Sequence, residues 1–187
     1  MTTLFFTHES GLNHVTPPGH PERVERLQAI YDALRDAEFA GLNRRAAPLA
    51  DQAEVLRCHP EAHLAKVQRA RPETGWAQLD GDTFLSPGSF DAALHAIAAN
   101  AFVAMRPPGH HAERATAMGF CLFGTVAIAA RRALDHHGLS RVAVLDFDVH
   151  HGNGTQDLLW DEARAMFVSA HQMPLYPGTG SATERGA

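Results

Sequence analysis

"DFDVHHGNGTQD", residues 146–157, follows directly on the apolar run "RVAVL" of residues 141–145. Two aspartates and two histidines within six residues, at the end of a run with the character of a core strand, are costly to bury without a partner. Side chains alternate along an extended strand, so Asp146, Asp148 and His150 share one parity and converge on one side where the strand ends. Two carboxylates and an imidazole, with no cysteine among them, suit a divalent ion such as catalytic zinc, manganese or iron(II) better than a sulfur-rich structural zinc site. The competing reading is local: Asp146 and Asp148 cap the following loop and the histidine pair is a solvated turn.

Histidine use points the same way. The chain has 13 histidines, and seven of them (His110, His111, His136, His137, His150, His151 and His171) fall between positions 110 and 171. The second pair sits in "RPPGHH", a loop pinned by proline and glycine that holds both imidazoles near one crevice. A neutral imidazole there suits a general base, because it titrates close to the working pH. Taken alone, the motif reads equally well as a structural loop with one satisfied histidine.

The 187 residues, 45% hydrophobic and 20% charged, suit one globular domain over residues 1–187, with no repeat and no low-complexity tract. A formal net charge of -5 with scattered Lys and Arg argues against direct nucleic-acid binding. No apolar run approaches the ~20 residues that span a bilayer, and the start "MTTLFFTHES" has no signal-peptide pattern, so no membrane partner is expected. Cys58 and Cys121 lack metal-type spacing and read as two small buried residues in a reducing compartment; a cytoplasmic protein is expected.

Along the chain, "TLFFT" reads as a first strand. A helix is expected from about Pro21 to Glu38, where Val24, Leu27, Ile30, Tyr31 and Leu34 recur at helical spacing. Asp51 with Glu54 has the form of a capping box opening a short helix, and "PEAHLAKVQRA" is a third. "LDGDTFLSPGS" reads as a loop, Phe90 to Ala99 as a helix and "AFVAM" as a buried strand. Leu122 to His137 is helical and stopped by Gly138. "RVAVLDF" is a strand, "TQDLLWDEA" a short helix and "AMFVSAH" a further strand. Strands alternating with helices predict an α/β fold, an open parallel sheet flanked by helices on both faces, with the binding crevice at the strands' carboxyl ends.

"RPPGHHA", "MGFCLF", "DFDVHHGNGTQD" and "YPGTG", in this order, resemble the zinc-dependent histone deacetylase family, in particular bacterial class II-like members and the related acetylpolyamine amidohydrolases. "PGHPERVERL" and "LDGDTFLSPGS" also read as family segments, so the resemblance covers most of the chain. It implies an arginase/deacetylase-like fold and a metal-dependent hydrolase that removes acetyl groups from acetyl-lysine or from small acetylated amines such as acetylpolyamines. Asp148 and His150 match two of the three metal ligands, the metal being zinc or alternatively iron(II). His110 and His111 match the tandem catalytic histidines, with His111 the general base. Asp146 matches the carboxylate paired with His110, and Asn153 the position that orients His111. An Asn at 153, where some members have Asp, leaves that pair without a full negative charge, which should make His111 a weaker base. Gly119 and Phe120 match the wall of a narrow acyl-lysine tunnel, although Phe120 alone reads as a core aromatic. Asp82 matches a rim residue that holds the substrate backbone. Asp146, Asp148, His150, Ser169 and Ala170 match a structural potassium site.

The chain also departs from the family pattern. The family continues beyond "YPGTG", and its later part supplies a third metal-ligand Asp and the Tyr or His that stabilises the oxyanion. After His151 the carboxylates are Asp157, Asp161, Glu162 and Glu184, none in a matching strand-end context. Gly124-Thr125 stands where bacterial members usually have Asn-Asn, and the helix near residues 90–99 is short for the family. The chain thus reads as the amino-terminal part of a deacetylase. A catalytically incompetent folding or interaction module is the competing expectation; under either reading the missing sheet half should leave an exposed strand edge and apolar surface, which predicts self-association into homo-oligomers. An arginase-like binuclear manganese hydrolase is disfavoured, because Gly152 stands where that family has Asp.

Overall fold

Helical spacing of Val24, Leu27, Ile30 and Tyr31 builds a helix that packs Leu27 against Phe5 and Ala104, and this small cluster ties the amino-terminal helices to the first strands. The computed structural model describes residues 3–98 and 101–187. In chain order its regular elements are β1 (Leu4–Thr7), α1 (Ser10–Asn13), α2 (Val24–Ala33), β2 (Asn43–Ala46), α3 (Glu61–Arg69), β3 (Ala77–Asp80), β4 (Thr83–Leu85), α4 (Ser89–Ala98), β5 (Phe102–Val103), α5 (Thr125–Asp135), β6 (Val142–Asp146), α6 (Asn153–Leu159) and β7 (Ala165–Ser169), with 3-10 turns at Ala37–Phe39 and Gln52–Arg57.

The α/β architecture with parallel pairing is what the strands form. β1 pairs in parallel with β2 on one side and β5 on the other, and β6 pairs in parallel with β7 over five residue pairs. These are two separate ladders among the described residues. The main core joins the β6–β7 ladder to the helices: Val55, Val67, Leu85, Ile97, Leu122 and Ile128 are fully buried in one cluster, and Val142, Val144 and Ala165 pack against it from β6 and β7. The opposite face of β6 and β7 is open, with Leu145 65% and Met166 59% exposed.

Several elements differ from the sequence reading. The helix expected over 21–38 runs only over Val24–Ala33, because residues 20–23 are pinned otherwise. The Glu22 carboxylate is buried against Arg106 and His14, the His20 ring accepts the Glu22 N–H, and Arg23 is extended with φ -147°. Asp51 does cap its turn by accepting the Ala53 N–H, but Glu54 turns to Arg57 at 2.7 Å, so the reciprocal half of the capping box is missing and the segment is a 3-10 turn. "LDGDTFLSPGS" is not a loop throughout: β3 and β4 form an antiparallel hairpin across Gly81 and Asp82. Strands of three and four residues carry too little alternation to be read from sequence.

"AFVAM" is a two-residue strand whose Phe102 is 52% exposed, and among the described residues it pairs with β1 alone. Ala99, the expected last residue of the helix now seen as Ser89–Ala98, lies outside the described residues. α5 begins at Thr125 rather than Leu122, because the Gly124 N–H is taken by the His59 ring and the Thr125 N–H by Phe123. Gly138 adopts φ +67° and ends it as expected. No helix among the described residues is long and apolar enough to cross a membrane.

Candidate active site

Three segments meet at the carboxyl end of β6. The loop of residues 106–121 lies over α6, and close packing requires glycine there: a Cβ at Gly154 would enter the Ala112 backbone. The Thr155 N–H donates to the His110 carbonyl at 3.1 Å. This places the tandem histidines above the end of β6, 36 and 42 residues from their partners in sequence.

His110 Nδ1 is 3.0 Å from Asp146 Oδ2, and His111 Nδ1 is 2.8 Å from Asn153 Oδ1. The two imidazoles lie side by side with centroids 3.9 Å apart. Burial alone would raise the Asp146 carboxyl, yet the hydrogen bonds from His110 and from the Asp148 N–H bring it below the usual range. Burial, and after it the neighbouring His110, push His111 down to about 4, so it is neutral at pH 7. The Asn153 Nδ2 donates to Glu113 Oε1 at 2.8 Å.

Asp148 and His150 lie next to this pair, with His150 Nδ1 3.3 Å from Asp148 Oδ1 and both side chains about half exposed. One anionic oxygen and one imidazole nitrogen are donor types that zinc and iron(II) accept, so the two fit as part of a metal site. Among the described residues no group of three His, Cys, Asp or Glu side chains converges to hold an ion. The five residues matched to a potassium site lie together where β6 and β7 end: Asp146 pairs with Ser169, and the Asp146 carbonyl accepts the Ala170 N–H at 2.9 Å. Ser169 Oγ lies 2.9 Å from His171 Nδ1.

Gly119 lies against the His111 ring, where a Cβ would fall 2.5 Å from it, and both Gly119 and Phe120 take left-handed backbone, φ +56° and +68°. A non-glycine residue there is strained, and the Phe120 N–H is held by Thr83 Oγ1 at 3.0 Å. Thr83 Oγ1 in turn lies 3.0 Å from Asp82 Oδ1, so the hairpin tip carrying Asp82 is joined to the Phe120 segment.

The sequence reading missed two residues. Tyr176 stands edge-on to His111, centroids 4.9 Å apart, and 6.1 Å from His150. "YPGTG" was the available signal, but only the fold shows that its aromatic faces the histidines. Its segment is fastened by Thr179 to His151 at 2.8 Å and by Gly180 to His171 at 3.1 Å. The other is Glu113, which nothing in a single sequence marks.

Residues 20–187 match the family model described as the histone deacetylase domain. The chain belongs to the histone deacetylase family. A "Histone deacetylase-like amidohydrolase" of Pseudomonas aeruginosa is 39% identical over 91% of this histone deacetylase family chain and 49% of its own length. A "Probable deacetylase" of Archaeoglobus fulgidus is 38% identical over 100% of the chain and 56% of its own, and an uncharacterised Synechocystis protein is 45% identical over 100% and 66%. The crystal structure of the HDA15 HD domain superposes with a TM-score of 0.91 at 32% identity, covering 100% of this chain and 58% of that one. The chain therefore spans between about half and two thirds of the length of these relatives.

Proposed function

We propose that this chain carries the histidine pairs, two metal ligands and part of the acyl-chain wall of a metal-dependent deacetylase that hydrolyses acetyl-lysine in peptides or small acetylated amines such as acetylpolyamines. The observation that supports it most directly is the pair of parallel imidazole contacts, His110 with Asp146 and His111 with Asn153, side by side beside Asp148 and His150.

Zinc, or alternatively iron(II), held in part by Asp148 and His150, would supply Lewis acidity toward the amide carbonyl and the attacking water. The protein's own part is proton traffic and positioning. His111, neutral and with Nδ1 engaged by Asn153, presents Nε2 as the base that takes a proton from the water and then returns one to the leaving amine. His110, held by Asp146, adds a hydrogen bond and positive character beside it. Gly119, Phe120 and Tyr176 confine a slim acyl-lysine chain against His111, and Asp82 holds the substrate backbone at the rim. The products are acetate and a free amine.

A potassium ion beside Asp146, Asp148, His150, Ser169 and Ala170 would steady the loop after β6. Two free, buried cysteines, Cys58 and Cys121, support a reducing, cytoplasmic setting. Direct nucleic-acid contact is no part of this reading.

The absence of a three-ligand cluster among the described residues favours a second reading, a module that folds without turnover. Titrating zinc into metal-stripped chain while following a fluorogenic acetyl-lysine substrate decides between them. Zinc-dependent acetate release that disappears in His111→Ala supports the enzyme; zinc binding without turnover supports the module. Acetylputrescine run alongside tests the small-amine alternative.

A further inference from the structure

An asparagine amide offers an acceptor at one end and a donor at the other, so the contact between Asn153 and His111 has two chemically opposite forms. With Oδ1 toward His111, the imidazole carries its proton on Nδ1 and leaves Nε2 free to act as a base. With Nδ2 toward His111, the neutral ring must carry its proton on Nε2, and the base is lost. The decision lies at the far side of the amide. Asn153 Nδ2 is 2.8 Å from Glu113 Oε1 and 3.5 Å from Met118 Sδ, and a carboxylate can only accept. Glu113 is itself held in a tight turn, its N–H donating to the Thr116 carbonyl at 3.0 Å and its carbonyl accepting the Thr116 N–H at 3.3 Å.

We infer that Glu113 is a positioning residue: by accepting from Asn153 Nδ2 it fixes the direction of the amide and thereby the tautomer of His111. The inference rests on His111 acting as the base of the proposed deacetylation. It also sets a carboxyl group behind Asn153, on the side of the amide away from His111.

The test is the imidazole nitrogen spectrum of the 15N-labelled, metal-free full chain at pH 7.5, with His111→Asn used to assign the signal, alongside turnover with zinc and an acetyl-lysine peptide. The wild type is expected to show His111 protonated on Nδ1. Glu113→Gln keeps the shape but restores the choice of donor or acceptor, so a share of His111 should move its proton to Nε2, with turnover falling in proportion to the share that leaves Nδ1. The double variant Asn153→Asp with Glu113→Gln exchanges the two groups. The new carboxylate at 153 accepts from His111 and the new amide at 113 donates to it, so Nδ1 protonation and most turnover should return. A Glu113→Gln chain with an unchanged tautomer overturns the inference, even if its rate falls, as does a double variant that stays on Nε2. If the wild type shows no turnover, the deacetylase reading fails on its own and the nitrogen spectrum still decides the role of Glu113.

Discussion

His110 Nδ1 lies 3.0 Å from Asp146 Oδ2, joining the loop after β5 to the last residue of β6. The carboxylate also accepts the Asp148 N–H at 3.1 Å, so one side chain orients both a histidine and the start of the segment that carries the proposed metal ligands. Asp146→Asn keeps the size and removes the charge. Acetyl-lysine turnover should fall ~10- to 100-fold, the usual effect of removing a ligand-orienting partner, with an unchanged circular dichroism spectrum. A full-rate Asn variant would show that the charge of Asp146 is not needed.

Gly119 has two reasons to be glycine: its φ of +56° and the His111 ring, 2.5 Å from where a Cβ would stand. Gly119→Ala should destabilise the chain by about 1–3 kcal/mol through overpacking and backbone strain. Urea denaturation reads the loss.

Acid should weaken the fold in two stages. His59 is buried, its Nδ1 lying 3.1 Å from the Arg114 carbonyl and its Nε2 accepting the Gly124 N–H at 2.9 Å. Protonating Nε2 would set two donors against each other. Burial, and then neighbouring His63, push His59 from 6.5 down to about 4. Because the folded value is depressed, the unfolded chain binds the proton first, and stability on the order of 3 kcal/mol is lost as pH falls from 6.5 to 4. Burial alone would raise Glu22, but its hydrogen bonds to His14 and Arg106 hold it near 2, so its contribution is lost from 4.5 downward. Urea midpoints from pH 7.5 to 4 should show a shallower acid limb in His59→Gln, although that variant starts less stable.

Tyr176 closes one side of the histidine pair, and burial keeps its phenol protonated well above the ordinary range. Tyr176→Ala should raise KM for an acetyl-lysine peptide ~10-fold, about the worth of one aromatic contact, with a smaller change in kcat, while Tyr176→Phe stays close to wild type. Equal effects of both variants would assign the role to the hydroxyl instead.

The open face of β6 and β7 should be adhesive. Phe147 is 83% exposed and Leu145 65%, beside Met166 at 59%. A contiguous apolar strand face of this kind binds hydrophobic dyes and self-associates. Light scattering should show growth with concentration, reduced by Leu145→Thr with Met166→Thr.

Much of the candidate site was legible because its residues are local. Asp146, Asp148 and His150 lie at and just past the end of β6, where the Asp146 and Asp148 carboxylates accept the Asp148 and His150 N–H groups and cap the loop instead of alternating along an extended strand, and His110 and His111 are adjacent in a loop that proline and glycine keep out of helix. The hairpin over residues 77–85 was not legible, since its strands are too short to show a period, and neither was the late start of α2, which a buried ion pair between Glu22 and Arg106 imposes from 84 residues away.

The sequence by itself determined the α/β class, the order of most elements and the residue types gathered in the candidate site, because periodicity and strand-end clustering are properties of neighbours along the chain. The pairing of His110 with Asp146 and of His111 with Asn153 was expected from the family resemblance and is what the fold forms, whereas only the tertiary structure decided that Tyr176 faces His111 and that Glu113 stands behind Asn153. Those pairings depend on where packing sets loops that are tens of residues apart, and a hydrogen bond forms only where that packing brings donor and acceptor within about 3 Å.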